Sequence, residues 1–160
     1  MSKSLKRVRR ALEAAGLEDG TREMPESTRS AAEAASALGV TVDQIAKSII
    51  FAGSDSGALY LLLTAGGRQV DLVLAQALTG EALVRADASE VRRLTGFAIG
   101  GVAPLGHLTP PRAYLDRRLL DFDVVWAAAG TPRHVFPIAP DTLARIASAE
   151  IADFSADEKM

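Results

Sequence analysis

The chain has no cysteine, two histidines, one tryptophan and only 5% aromatic residues among its 160. The lack of thiols rules out a disulfide framework, a thiolate metal site and a protein-borne cysteine nucleophile. His107 and His134 each stand without a second histidine or a carboxylate at ligand spacing, so no metal site and no cofactor are expected. Trp126, alone and flanked by apolar residues, reads as core rather than as a platform for stacking bases. No apolar run reaches the roughly 20 residues that would span a bilayer. The opening MSKSLKRVRR leads into a polar-faced helix, not a signal peptide. These absences point to the cytoplasm and away from membranes. A net charge of −2 argues against a protein that coats nucleic acid nonspecifically.

What is present is an ordinary globular composition, 48% hydrophobic and 24% charged, enough for one domain over residues 1–160 with its own core. Leu5, Val8, Leu12 and Ala15 trace a helical stripe that ends at Gly16. On this reading the basic set Lys3, Lys6, Arg7, Arg9 and Arg10 is its solvated face; the other reading is a local basic patch that binds RNA. A polar loop with Gly20 and Pro25 follows, then a second helix from Ser27 or Thr28 to Gly39. Thr41 and Gln44 have capping-box spacing. Ile45–Phe51 and Leu59–Thr64 read as strands paired across the GSDSG turn. Gly66 and Gly67 end the second strand. Helical spacing over Leu72–Leu78, a short strand at Leu83 and Val84, and a helix capped by Asp87 with Glu90 facing back come next. Late in the chain, Val124–Ala128 and Val135–Ile138 read as strands joined across GTPR, and Pro140 opens a last helix to about Ala147. The class is α+β.

Two segments stand out chemically. Lys47 sits in IAKSIIF, where an ammonium is costly unless it snorkels from a sheet edge, finds a partner or lines a pocket. Its neighbour Ser48 points to the opposite face of the strand and has no local base. The second segment, LTGFAIGGVAPLGH, concentrates Gly96, Gly100, Gly101, Gly106 and Pro104 beside His107. Residue types alone leave two readings open, a long structural turn or a loop shaped to offer bare N–H groups to a ligand. His107 is either a loop residue with a structural hydrogen bond or a general base. His134, after GTPR, reads as exposed. Arg112, Arg117 and Arg118 form a second basic set, diluted by Asp116 and Asp121.

The order of these segments resembles the YbaK/ProX family of aminoacyl-tRNA deacylases, free-standing relatives of the editing domain inserted into bacterial prolyl-tRNA synthetases. The likeness runs from about Thr28 to Ile151 through IAKSIIF, LYLLLT, TGFAIGGVAP, YLDRRLLDFDVVWAAAG and APDTLARI. Its most specific parts are Lys47 with its flanks and the G-x-x-x-P pattern from Gly100 to Pro104. The resemblance implies a mixed, barrel-like sheet surrounded by helices, with the residues before about 20 as an additional N-terminal helix. It implies Lys47 as the catalytic residue, stabilising an oxyanion or binding the terminal phosphate. It also implies an amino-acid pocket from Thr95, Gly96, Gly100, Gly101, Val102, Ala103 and Pro104, with Gly130 nearby. His107 is a candidate for substrate binding, but the ending Leu105–Gly106–His107 departs from the family pattern. Asp116 matches a family acid that either fixes loop geometry or contacts substrate.

The activity so implied is hydrolysis of the ester of a mischarged aminoacyl-tRNA, tRNA-Pro carrying a small wrong amino acid such as cysteine or alanine. A synthetase pocket rejects a smaller side chain by only about 1–3 kcal/mol per methylene, which makes a second sieve necessary. The partners would be the acceptor end of the tRNA and prolyl-tRNA synthetase. The other class is a non-catalytic module that keeps the fold to bind an amino acid, a nucleotide or a synthetase.

Overall fold

The run Leu59–Ala65 is buried at every position, as a strand covered on both faces must be, and the molecule is organised around it. The computed structural model describes residues 2–26, 28 and 30–157. Along these the elements are α1 (Lys3–Ala14), β1 (Arg22–Glu23), α2 (Ala31–Leu38), β2 (Ile45–Gly53), β3 (Leu59–Ala65), β4 (Arg68–Val70), α3 (Leu72–Thr79) and β5 (Leu83–Arg85). Then come α4 (Ala88–Thr95), β6 (Arg112–Asp116), β7 (Val125–Ala128), β8 (His134–Ile138), α5 (Pro140–Ile146), β9 (Ala149–Ala152) and β10 (Ser155–Asp157). The architecture is α+β with a mixed sheet.

The main sheet runs β1-β8-β7-β2-β3-β6-β9, and β5 also pairs with β2. β2 and β3 form the expected antiparallel hairpin, with Lys47 opposite Thr64 and Ala46 opposite Ala65. The β2–β7, β3–β6 and β6–β9 pairs are parallel. Strand alternation sorts the core into two faces. Ala46, Ile50 and Ala52 of β2 pack with Leu61 and Leu63 of β3 against Leu5, Val8 and Leu12 of α1 and against Phe97. On the other face, Tyr60 and Leu62 meet Ala75 of α3, and Ile45 meets Trp126 and Ala34 of α2. β4 and β10 form a separate two-stranded ribbon.

Several boundaries differ from the sequence-based expectation. The second helix begins at Ala31, because Ser30 is the residue whose hydroxyl accepts the Glu33 N–H at 3.1 Å. Thr28 precedes that cap, and Ser27 lies outside the described residues. Glu90 does not face back to its cap; its carboxylate takes Arg93 instead, while Asp87 accepts the Ser89 and Glu90 N–H groups. The polar loop holds the short strand β1. β4, β6, β9 and β10 were not anticipated, since runs of three to five residues carry too little periodicity to separate strand from loop.

One irregularity of the sheet positions the site. On the edge away from β3, β2 pairs with β7 only at Ile45 and Ala46 and with β5 only at Phe51–Gly53. Residues 47–50 therefore have no strand partner on that edge, and the sheet is slit beside Lys47.

Candidate active site

A cavity of about 500 Å³ opens at this slit. Its walls include Lys47 and Ser48 of β2, Trp126 of β7, Gly100 of the glycine-rich loop, and Thr131 and His134 of the β7–β8 hairpin. Lys47 is half-buried, and its ammonium donates to the Arg68 carbonyl at 2.5 Å. That carbonyl is itself fixed, because the Arg68 guanidinium is bound to Ser155 and Asp157 on β10. An ammonium has three N–H donors, so one carbonyl leaves donors over for a substrate.

Ser48 points to the opposite face of the sheet, as alternation requires. Its Oγ is buried without a hydrogen-bond partner, a condition it shares among the described residues only with Arg133 Nε. There is accordingly no base to activate it.

The glycine-rich loop divides in two. Ala98, Ile99 and Gly100 are exposed, and Gly100 reaches the cavity. Gly101, Val102, Ala103 and Pro104 are buried, with Val102 and Ala103 in the main core. They buttress the cavity rather than line it. Thr95 closes α4, donating to the Val91 carbonyl at 2.6 Å and accepting the Phe97 N–H at 3.1 Å, and Gly96 is the left-handed residue that ends that helix.

The glycines here permit close packing. A Cβ on Gly101 would lie 2.8 Å from the Thr131 carbonyl carbon. Gly130 has φ +98°, and a Cβ there would lie 2.8 Å from the Ser4 carbonyl oxygen and 2.9 Å from Val8 Cγ2. The hairpin, α1 and the loop thus meet at backbone distance. Arg7 pins this junction. Its guanidinium lies 4.6 Å from the Phe97 ring centre and donates to the Gly106 carbonyl at 2.7 Å and the Gly96 carbonyl at 2.8 Å.

His107 is part of the same buttress. Its Nε2 is 2.6 Å from the Ala103 carbonyl, so the proton is assigned to that nitrogen, and its ring meets Phe97 edge to face. Burial, with the nearby Arg7 charge, pushes its pKa below the ordinary value despite the opposing carbonyl bond. It does not line the cavity.

His134, read as exposed from the sequence, is instead half-buried and lines the cavity. Thr131 Oγ1 accepts the Arg133 and His134 N–H groups at 3.2 and 3.1 Å and lies 2.6 Å from His134 Nδ1. With both acceptor positions occupied, the hydroxyl donates to Nδ1, leaving Nε2 as the unengaged ring nitrogen. Asp116 does not line the cavity. It is buried and accepts from the Ala65 N–H, Ser155 Oγ and the Arg118 N–H, which fixes loop geometry. The basic set after the loop is also engaged: Arg117 pairs with Asp153, and Arg118 with Asp43 and Asp121.

A family model for the aminoacyl-tRNA editing domain matches residues 25–146, a span containing the slit, the loop and the hairpin. The chain belongs to that family. Similar proteins match over nearly the whole chain. A candidate trans-editing enzyme for prolyl tRNA synthetase is 48% identical, covering 99% of both chains at a TM-score of 0.89. A scaffold used for grafting linear epitopes is 45% identical at a TM-score of 0.90, covering 99% of this chain and 100% of that one. The uncharacterized protein YwhH of Bacillus subtilis (strain 168) is 30% identical over 148 residues, 92% of this chain and 94% of its own length.

In this member of the editing-domain family, the structure brings Lys47 and Gly100 to one cavity. It leaves Thr95, Gly96, Gly101 to Pro104, His107 and Gly130 behind its wall. Sequence reasoning missed Thr131 and His134. The available signal was a histidine closing a G-T-P-R turn that returns a strand to the sheet. Among the described residues, no group of three or more His, Asp or Glu side chains is placed to hold a metal ion, and no helix is long and apolar enough to cross a membrane.

Proposed function

We propose that this editing domain is a trans-acting deacylase. It hydrolyses the ester that joins a small wrong amino acid, cysteine or alanine, to tRNA-Pro in the cytoplasm, with prolyl-tRNA synthetase as the enzyme it corrects. The observation that carries the reading is the cavity itself: an ammonium, an unpaired strand edge and an exposed glycine loop around a space of about 500 Å³. That volume suits a small ligand held by a few polar groups.

The chemistry asks for no protein nucleophile. Water adds to the acyl carbon, the C–O bond to the ribose oxygen breaks, and that oxygen leaves with a proton. Lys47, through the donors that its bond to the Arg68 carbonyl leaves over, stabilises the oxyanion or holds the terminal phosphate. The open edge of β2 over residues 47–50 presents further backbone donors, alternate N–H groups there facing away from β3. With Nδ1 accepting from Thr131, His134 carries its proton on Nε2 and is a donor to the oxyanion, while the proton lost by the attacking water passes to the leaving ribose oxygen. Binding the ester beside positioned water supplies most of the acceleration.

The test is a panel of mischarged tRNAs incubated with the protein and with Lys47→Ala. Ester loss from Ala- or Cys-tRNA-Pro that drops about 100-fold or more in the folded variant is the expected result. Full activity in folded Lys47→Ala removes the catalytic assignment. No hydrolysis of any substrate by the unmodified protein favours a binding module instead.

A further inference from the structure

A second cavity, of about 600 Å³, adjoins the first, and Thr131, Pro132 and His134 line both. Its remaining walls come from Ser2 and Leu5, Arg9 of α1, Thr21, Glu23 of β1, and Arg133. We infer that this second cavity holds the penultimate nucleotide of the RNA 3′ strand while the terminal, aminoacylated nucleotide occupies the first. The inference rests on the deacylase reading and deepens it.

Three observations support this occupant. The first is continuity. An RNA 3′ strand entering the Lys47 cavity must continue over one of its rims, and the hairpin rim at Thr131–Pro132 opens into a space large enough for a nucleotide.

The second is chemistry. Leu5 and Pro132 offer an apolar surface to a base, and the guanidiniums of Arg9 and Arg133 flank it. Arg9 bonds Thr21 Oγ1 at 2.9 Å and pairs with Asp19 at 3.2 Å; Arg133 pairs with Glu23 at 3.1 Å and reaches the Met24 carbonyl. Both carboxylates are more than half exposed, at 52% and 58%. Such exposed pairs contribute only about 0–1 kcal/mol, so a phosphodiester can displace Asp19 and Glu23 and gain forked, charge-assisted bonds.

The third is an unmet donor. Arg133 Nε is buried without a partner, while its Nη2 is engaged. A buried donor left unmade is costly, and a small shift of the fork towards a phosphate satisfies it. Contacts of this kind position the strand without reading its sequence, which suits the C-C-A end common to all tRNAs.

The experiment compares two esters bearing the same amino acid, one on full-length tRNA and one on adenosine alone. It uses the unmodified protein, Arg133→Gln, and Arg9→Gln as the second variant, all checked by thermal melting. In parallel, binding of the uncharged trinucleotide C-C-A is measured over a range of salt. The expected result is that either substitution lowers kcat/KM on the tRNA ester about tenfold, at least fivefold more than on the adenosine ester. The log–log salt slope of trinucleotide binding should shrink by about 0.7 per lost phosphate contact. Equal losses on both esters, or no loss in either variant with an unchanged salt slope, overturn the subsite while leaving the deacylase standing. If neither ester is cleaved by the unmodified protein yet C-C-A binding depends on Arg133, the deacylase reading fails and the subsite survives.

Discussion

Lys47 in its apolar strand and the glycine loop after α4 announce themselves equally in the sequence, and the fold uses them differently. Lys47 reaches the cavity because β2 lacks a partner on one edge at residues 47–50. Most of the loop never reaches it. Gly96, Gly101 and Gly130 leave room for Arg7, the 131–132 backbone and α1 to approach at distances no Cβ would tolerate. A glycine cluster therefore signals close approach without saying whether the visitor is a ligand or the protein's own backbone. A charge inside an apolar strand is a narrower clue, since burial without a purpose is costly.

The sharpest way to break this contrast is Gly130→Ala. A methyl group against the Ser4 carbonyl at φ +98° should cost about 2–4 kcal/mol, seen as a lowered midpoint in denaturant. Lys47→Ala, by contrast, should cost at most about 1.5 kcal/mol by the same measurement, because it removes one partly exposed hydrogen bond. A Gly130 variant of undiminished stability would mean that the β7–β8 hairpin packs less tightly against α1 than described. Next in size is Arg7→Ala, which removes two charge-assisted hydrogen bonds and a ring contact. It should cost about 2–3 kcal/mol, with Arg7→Lys restoring only part, because an ammonium cannot bridge both carbonyls.

Acid separates the two regions more gently. His107 has a folded pKa below its unfolded value of 6.5, so its contribution is complete above that pH and is lost as pH falls through the folded value. The loop should loosen first in mild acid, visible in the His107 ring resonances, and His107→Gln should flatten that step. The β2–β3 turn is held by Glu81, which accepts from Tyr60 at 2.6 Å and from Ser56, contacts that lower its pKa to about 2. Its contribution is intact above 4.5 and fades only as pH drops towards 2. The hairpin carrying Lys47 should therefore outlast the loop, and amide exchange at pH 4–5 that finds the order reversed would contradict this.

Much of the hairpin framework was legible in advance. Two apolar runs around GSDSG can form little other than β2 and β3, and Asp87 marks a helix start by side-chain chemistry alone. β6 was hidden because Arg112–Asp116 follows two prolines and is too short for alternation to show. Its central place, between β3 and β9, exists only through parallel pairing with strands distant in sequence. His134 was hidden for a related reason. A histidine after a turn looks solvated until the hairpin folds back against Gly101 and closes the cavity wall.

Local rules, then, were enough for the helices, the β2–β3 hairpin, several caps and the absence of thiol chemistry, since each depends on neighbours a few residues away. The slit in the sheet, the conversion of a glycine loop into a buttress, and the hairpin wall between two cavities depend on contacts between residues about 30 to 125 apart. Those contacts form only when a shared core is buried, and no short window of sequence records which backbone will arrive against which.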